Sequence, residues 1–354
     1  MSRTPLRILI IQGEIPHYRV PLFDQLARRS GFSVTVAHSG APAKQPDTAF
    51  EEIIVDCIRA PGLRIQRHIG SIARQHDVTV AMFDVRWPAC VWLGCNRDFS
   101  RRLVYWGHGF GRSRAIRPLR VALARRARAV AFYSESGRRD FIASGVDPEK
   151  LFVVPNTIHV PNSGFDAGRP RTQFLFVGRL HKRKRVDLLL HAFHGIRSEV
   201  PSDVGLSIVG DGPLKASLEE LARRLGLGDR VRFYGSLTEP AELKEIFQES
   251  LAYVSPGPVG LGLLHAFAYG VPVVVPGNVR HGPEIENLTH GVSGWYYDGS
   301  VAGLSRTLRD LALHPARSFE AGRAAHSHYR RSRTMEQTVE AFARVIEYAA
   351  GSPS

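Results

Sequence analysis

The chain has 354 residues, 44% of them hydrophobic and 23% charged, the composition of an ordinary globular protein and a length natural for two domains rather than one. Its formal net charge is +14, and three cysteines (Cys57, Cys90, Cys95) exclude a disulfide scaffold, while Cys90 and Cys95 lack the spacing of a structural zinc site. No stretch reaches the roughly eighteen unbroken apolar residues of a membrane helix, and MSRTPLRILIIQGE lacks the long apolar core of a secretory signal, so a cytoplasmic protein is expected.

Leu6 to Ile11 is a short unbroken apolar run, as expected of a parallel strand buried on both faces. The loop Gln12-Gly13-Glu14-Ile15-Pro16 follows, then the helical pattern Val20, Leu22, Phe23, Leu26, Ala27, then a second strand over Phe32 to Ala37. Further strands are predicted at Val78 to Phe83, Leu103 to Trp106, Ala129 to Tyr133 and Leu151 to Val154, with a basic helix at Pro118 to Arg128. His159 to Thr172, rich in Pro, Gly, Asn and Ser, reads as a linker. Beyond it strands are predicted at 174–177, 205–209, 230–234, 251–254 and 271–275, alternating with helices at 186–197, 213–225, 240–247 and 261–269. An amphipathic helix from Thr334 to Ala350 closes the chain. The alternation predicts an α/β protein with two doubly wound parallel sheets, one domain over 1–165, a second over 166–333, and a terminal segment over 334–354.

The charge is lopsided. Residues 1–165 hold 24 Lys and Arg against 13 Asp and Glu, a balance of +11, and the remainder holds 23 against 20, a balance of +3. Between Arg97 and Arg128 stand ten arginines and one acid, Asp98. Such a block is expected as a solvated face, or as an attraction for anionic lipid headgroups or a diphosphate-bearing acceptor. There is no aromatic-interleaved basic strand, zinc finger or recognition helix, so nucleic acid is not an expected partner.

Two segments carry the chemistry. FLFVGRLHKRKRVDLLLHAF, from Phe174 to Phe193, is an apolar strand that breaks at Gly178 and delivers Arg179, Lys182, Arg183, Lys184 and Arg185 to the mouth of a helix. Fixed cations beside free N–H groups suit a diphosphate. SPGPVGLGLLHAFAYG, from Ser255 to Gly270, is a strand end, a glycine-rich turn and a helix start. Ligands in such sheets gather at the carboxyl ends of strands, where both loops lie.

These residues resemble a known family. Gly178 to Phe193 is similar to the G-R-L…K-G-x-D-x-L-x-x-A-F signature of family 4 glycosyltransferases, retaining enzymes of the GT-B fold. Val209-Gly210-Asp211-Gly212-Pro213, Gly260-Leu261, Ala268 to Val274, Gly282-Pro283-Glu284 and Gly291 to Gly294 fit in the same order. The likeness is dense over residues 130–300. It implies two facing Rossmann-like domains with a cleft between them, an acceptor side in the first domain and a nucleotide-sugar side in the second, with the terminal helix crossing back onto the first. It also puts Arg179 and Lys184 on the diphosphate, and gives Gly178, Gly210, Gly257, Gly260, Leu261, His265 and Glu284 to the donor. One departure matters: the family's two glutamates, eight residues apart, are replaced by Gly257 and His265. His265 is expected to serve the ribose, and the sugar pocket is expected to be altered.

His108, in Tyr105-Trp106-Gly107-His108-Gly109-Phe110-Gly111, is placed by the resemblance near the acceptor and the sugar–phosphate junction, and His17, Tyr18 and Arg19 are placed on the acceptor side. Asp211 is expected to shape a turn. No acid–base carboxylate pair stands out and no Asp-x-Asp motif is present, so neither a metal nor a cofactor is expected. The implied reaction is retaining transfer from a UDP- or GDP-sugar to a lipid-linked or glycan acceptor in cell-surface polysaccharide or glycolipid synthesis, by a cytoplasmic protein on the inner face of the membrane. The leaving diphosphate helps to take the acceptor proton while the protein positions and stabilises charge. A sugar-nucleotide epimerase of the same fold and a catalytically silent nucleotide-sugar-binding scaffold are the alternatives. A dinucleotide oxidoreductase is excluded, because no GxGxxG follows the first strand.

Overall fold

Ile8, Leu9, Ile10 and Ile11 in β1 (Leu6–Ile11) are all buried, although alternate residues point to opposite faces. A strand apolar on both faces needs a cover on both, and helices provide it. The computed structural model describes residues 4–111, 113–166, 168–237 and 239–351. It divides into two units, one running to His159 and resuming at Met335, the other from Val160 to Thr334.

The first unit contains β1, β2 (Phe32–His38), β3 (Glu51–Ile54), β4 (Cys57–Ala60), β5 (Leu63–Gln66), β6 (Val78–Met82), β7 (Leu103–Gly107), β8 (Ala129–Phe132) and β9 (Leu151–Val153). Seven of these form a parallel sheet in the order β3-β2-β1-β6-β7-β8-β9, and β4 and β5 form a separate antiparallel hairpin. Ile8, Ile10, Val80, Val104 and Trp106 pack on one face with α1 (Val20–Arg28). Leu9, Ile11, Ala81, Tyr105 and Phe132 pack on the other. That second face is covered from α2 (Ile69–Arg74), α3 (Pro88–Cys95), α4 (Arg97–Ser100), α5 (Arg117–Arg126) and α6 (Glu135–Ala143).

The second unit repeats the plan with β10 (Gln173–Val177), β11 (Gly205–Val209), β12 (Val231–Gly235), β13 (Ser250–Val254), β14 (Val273–Pro276) and β15 (Gly294–Tyr297). They are parallel in the order β12-β11-β10-β13-β14-β15. Phe174, Phe176, Leu206, Ile208 and Val254 pack beneath α7 (Val186–Ile196), α8 (Lys215–Arg224) and, later in the chain, Leu304, Leu308 and Leu311. α9 (Pro240–Gln248) and α10 (Gly262–Ala268) follow, then α11 (Val301–Leu313), which carries those three leucines, and α12 (Pro315–Ser332). α13 (Met335–Ala350) packs in the first unit, where Phe342 meets Trp106 at 4.7 Å between ring centroids and Arg29 pairs with Glu340 at 2.6 Å.

The arginine-rich segment is largely the solvated face expected of it, and Arg120 is the exception. Arg120 shares one side of α5 with Leu123 and Ala124 and is buried. Its guanidinium donates to the carbonyls of Phe83 (3.1 Å), His108 (2.7 Å) and Gly109, and lies 4.1 Å over the Phe83 ring. Burial pushes its pKa down to about 10 against the opposing pull of Asp84. Arg125 donates to Ser144 O, Arg126 to Gly94 O, and Arg128 to Tyr348 O, so these three tie loops together. Arg97, Arg101, Arg114, Arg117, Arg125 and Arg126 are exposed, and Arg112 lies outside the described residues. Arg120→Lys is expected to lower unfolding stability by about 1–2 kcal/mol, because an ammonium cannot span three carbonyls in one plane. Urea unfolding monitored by tryptophan fluorescence measures it, and an unchanged midpoint would contradict the clamp.

Candidate functional site

In the second sheet the strand order reverses between β10 and β13, so the loops leaving these two strands part to opposite sides and leave a crevice at their carboxyl ends. The loop after β10 is stitched to the loop after β11: Gly178 N donates to Val209 O (2.9 Å), Leu180 N to Asp211 O (2.8 Å), and Leu214 N to Leu180 O (3.1 Å). Gly210 has φ 134°, and a Cβ there would stand 2.0 Å from Gly178 O, so only glycine lets the two loops touch. The Asp211 carboxylate accepts from Gly212 N at 2.6 Å and lies 3.8 Å from Lys215 Nζ, closing the turn.

Lys182, Arg183 and Lys184 form one tight turn, and Arg185 follows in the left-handed region at φ 53°, ψ 39°. A non-glycine residue there costs about 1–2 kcal/mol. The turn swings Lys184 inward, where it is half-buried and its ammonium donates to Pro258 O at 2.9 Å. Burial, and after it the charge of Arg183, lowers the Lys184 pKa. Arg179 is exposed at the start of the same loop. Gly257 explains the close approach: a Cβ on it would stand 2.2 Å from Arg183 O and 3.0 Å from Lys184 Cα. The glycine turn at Gly257 therefore lies flat on the main chain of the cation loop.

The far wall of the turn is held by a histidine that sequence reasoning passed over. His281 accepts from Val259 N at Nδ1 (3.1 Å) and donates from Nε2 to Pro276 O (2.7 Å), an arrangement that assigns the neutral ring. Burial lowers its pKa, and Lys184 lowers it further. Gly282 N returns a bond to Val259 O at 2.8 Å. Glu284 is buried, with its Oε2 3.8 Å from where a Cβ on Gly260 would stand. Leu261 caps α10, which is seven residues long. The structure thus brings Gly178, Lys184, Gly257, Gly260, Leu261 and Glu284 into one neighbourhood, with Gly210 against Gly178.

His265 sits one helical turn into α10, with its ring 4.6 Å from Phe247 and 5.6 Å from Tyr269. Burial pushes its pKa down to about 4, so the ring is neutral near pH 7. A histidine held below its free pKa of 6.5 binds protons more readily unfolded, so its contribution to stability is present above pH 6.5 and is lost as pH falls towards 4. Melting temperature is expected to drop between pH 6.5 and 4 in the wild type and to drop less in His265→Leu. Parallel curves would show that His265 titrates normally.

In the first unit Arg19 is enclosed rather than offered to solvent. Its guanidinium donates to Gln12 and to Tyr133 OH (2.7 Å) and lies 4.5 Å over Trp106. These bonds join the ends of β1, β7 and β8, so Arg19 frames the carboxyl edge of that sheet. His17 is exposed, and Tyr18 stacks edge-on to it at 5.8 Å. His108 is exposed beside Tyr133, 4.7 Å between centroids, and its carbonyl is held by Arg120. Among the described residues, no cluster of three or more His, Cys, Asp or Glu is placed to hold a metal ion, and no helix is long and apolar enough to cross a membrane.

Residues 165–326, which hold both crevice loops, match the family model described as glycosyl transferases group 1. In this stretch the chain is similar to the group 1 glycosyltransferases. A GDP-mannose-dependent alpha-(1-6)-phosphatidylinositol monomannoside mannosyltransferase of Mycolicibacterium smegmatis is 27% identical over 85% of this chain and 80% of its own length. Among solved structures, Anabaena HepE in complex with UDP superposes with a TM-score of 0.73 at 19% identity, over 97% of this chain and all of that one. A glycosyltransferase from Rickettsia africae superposes with a TM-score of 0.76 at 11% identity, over 98% of this chain and 99% of its own. At these identities the structures establish the fold, and it is GT-B. In this chain, His281 was the site residue most open to discovery from sequence, since it directly precedes the matched Gly282-Pro283-Glu284.

Proposed function

We propose that the chain transfers a sugar, with retention of configuration and without a metal, from a nucleoside diphosphate sugar to a lipid-linked acceptor at the inner face of the membrane, in glycolipid or cell-surface polysaccharide synthesis. The observation that carries this reading is the approach of Lys184 to the Gly257–Leu261 turn at the point where the second sheet's strand order reverses. A half-buried ammonium with one donor on Pro258 O retains two for an anion, and partial desolvation makes that anion's charge count for more. Arg179, exposed at the loop's start, supplies the planar fork for a second phosphoryl group. Together they stabilise the charge that develops on the leaving diphosphate. The length over which the mycobacterial mannosyltransferase aligns favours GDP-mannose and a phosphatidylinositol-type acceptor, whereas HepE was solved with UDP.

His265 packs against aromatic rings as a neutral side chain, and its ribose contact is made from the ring edge. Glu284, Gly178, Gly210 and Gly260 shape the donor side, and His17, Tyr18, Arg19 and His108 serve the acceptor side, with Arg19 acting through Tyr133 and Gln12. A second reading, a nucleotide-sugar-binding protein without turnover, is favoured by one observation: no carboxylate fits at Gly257.

Thermal stabilisation by a panel of nucleotides and nucleotide sugars tests the donor assignment. GDP-mannose and GDP are expected to raise the melting temperature more than UDP-glucose and UDP. A larger effect from the uridine set would move the donor to a UDP-sugar, and no effect from either set would remove the donor site.

A further inference from the structure

We propose that the β4–β5 hairpin is the surface by which this protein docks on an anionic lipid bilayer. The inference deepens the proposed use of a lipid-linked acceptor and rests on that reading for its purpose. Four of the large apolar side chains exposed among the described residues fall within one short segment of the first unit: Ile54 (53%), Ile58 (49%), Leu63 (40%) and Ile65 (37%). The hairpin pairs with no strand of the seven-stranded sheet. Its register sets Ile58 opposite Ile65 and Ala60 opposite Leu63, so alternation gathers these four on one face. The other face carries Cys57, Arg59, Arg64 and Gln66, with Arg59 directly opposite Arg64.

Two like charges facing each other across a hairpin are unfavourable in water unless an anion lies nearby. Arg59, Arg64, Arg67 and Arg74 are all exposed, and no acid occurs between Cys57 and His76. A hairpin with one apolar face and arginines on its reverse is amphipathic, like an element lying at the boundary between acyl chains and anionic headgroups, where apolar area and basic charge add. Trp92, 44% exposed on α3, lies over Gly70 where α3 packs against α2 and β5, and tryptophan favours the same boundary.

The hairpin is tied to the carboxyl edge of the first sheet. Gln66 is buried and donates to Gln12 O (2.8 Å) and Ser39 Oγ (3.0 Å), and Arg64 N donates to Arg86 O (2.8 Å). Gln12 also accepts from Arg19. A bilayer bound at the hairpin thus lies at the edge of the sheet that carries His17, Tyr18 and Arg19. Among the described residues, the exposed arginines of the Arg97–Arg128 segment have no comparable cluster of exposed apolar partners.

The test is flotation of the full chain with vesicles of phosphatidylcholine alone and of phosphatidylcholine with phosphatidylglycerol, without nucleotide. Wild-type protein is expected to float with the anionic vesicles and to be released by salt. Ile58→Ser with Ile65→Ser is expected to weaken partitioning at least about tenfold. Arg59→Gln, Arg64→Gln and Arg67→Gln together are expected to weaken it roughly a hundredfold at low salt. Arg97→Gln with Arg101→Gln and Arg117→Gln is expected to leave the hairpin's contribution in place. All these side chains are exposed, so melting temperatures should hold, and a matching melt shows that a variant is folded. Transfer to a soluble acceptor analogue is expected to persist in the hairpin variants. Its loss in the wild type would count against the glycosyltransferase reading alone. Wild-type protein that ignores anionic vesicles, or hairpin variants that float unchanged, would overturn the docking surface. So would wild-type self-association that the Ile58→Ser, Ile65→Ser variant loses, because the face would then be a protein interface.

Discussion

Lys184→Ala is expected to weaken binding of a nucleoside diphosphate by about 1.5–3 kcal/mol, roughly ten- to a hundredfold, and to leave affinity for the nucleoside nearly unchanged. The expectation follows from where the ammonium stands. It is half-buried beside the glycine turn with one donor committed to Pro258 O, and burial already lowers its pKa, so an approaching diphosphate meets a cation that water screens poorly. Arg179→Ala is expected to act in the same direction, and more salt-dependently, because Arg179 is exposed. Titration calorimetry with nucleoside, monophosphate and diphosphate separates the contributions. Equal losses for nucleoside and diphosphate would mean that the loop had collapsed rather than lost a phosphate contact.

Gly257→Glu is expected to abolish diphosphate binding. Any side chain at 257 places its Cβ 2.2 Å from Arg183 O, so the turn and the cation loop must separate. Overpacking of that kind costs about 1–3 kcal/mol of stability and carries the Lys184 main chain away from Pro258. Gly257→Ala is expected to do most of the same damage, since the clash begins at Cβ. Melting temperature and diphosphate affinity should fall together in both variants. A Gly257→Glu protein that melts normally and binds donor more tightly would show that the two loops part readily and that a carboxylate is tolerated there.

Much of the second unit was legible because its strands are short unbroken apolar runs. The strands predicted at 174–177 and 251–254 lie in β10 and β13 with one residue added at the start, and that predicted at 205–209 coincides with β11. β15 is only Gly-Trp-Tyr-Tyr and follows a segment matched as a loop motif, so periodicity had nothing to report. α12 was missed because HSHYRRS at its end shows little apolar repeat, although Ala321, Gly322, Ala325 and Tyr329 do form a buried stripe of small residues and one ring. β3 and the β4–β5 hairpin were missed for a related reason, since their exposed isoleucines and arginines follow no single buried face.

Arg120 is more instructive. Its charge suggested solvent, yet its spacing to Leu123, Ala124 and Ala127 put it on the buried side of a helix, and the spacing decided. The candidate site divides along the same line. Arg179, Lys184 and the glycine turns could be found in sequence because each follows a strand end. The contact of Gly257 with Arg183 and the bond from Val259 to His281 join separate loops, and no local pattern encodes them. Arg19 likewise stood in a legible loop, but its partners Trp106 and Tyr133 lie over eighty residues away.

The central claim is that the crevice formed by the cation loop and the glycine turn turns over a nucleoside diphosphate sugar. Release of nucleoside diphosphate from GDP-mannose and from UDP-glucose by the purified chain, with and without a phosphatidylinositol-containing lipid extract, measures this directly. Release from one donor is expected to rise several-fold with the lipid and to disappear in the Arg179→Ala, Lys184→Ala double variant. Donor binding with no release under either condition would contradict it and leave a nucleotide-sugar-binding protein without turnover.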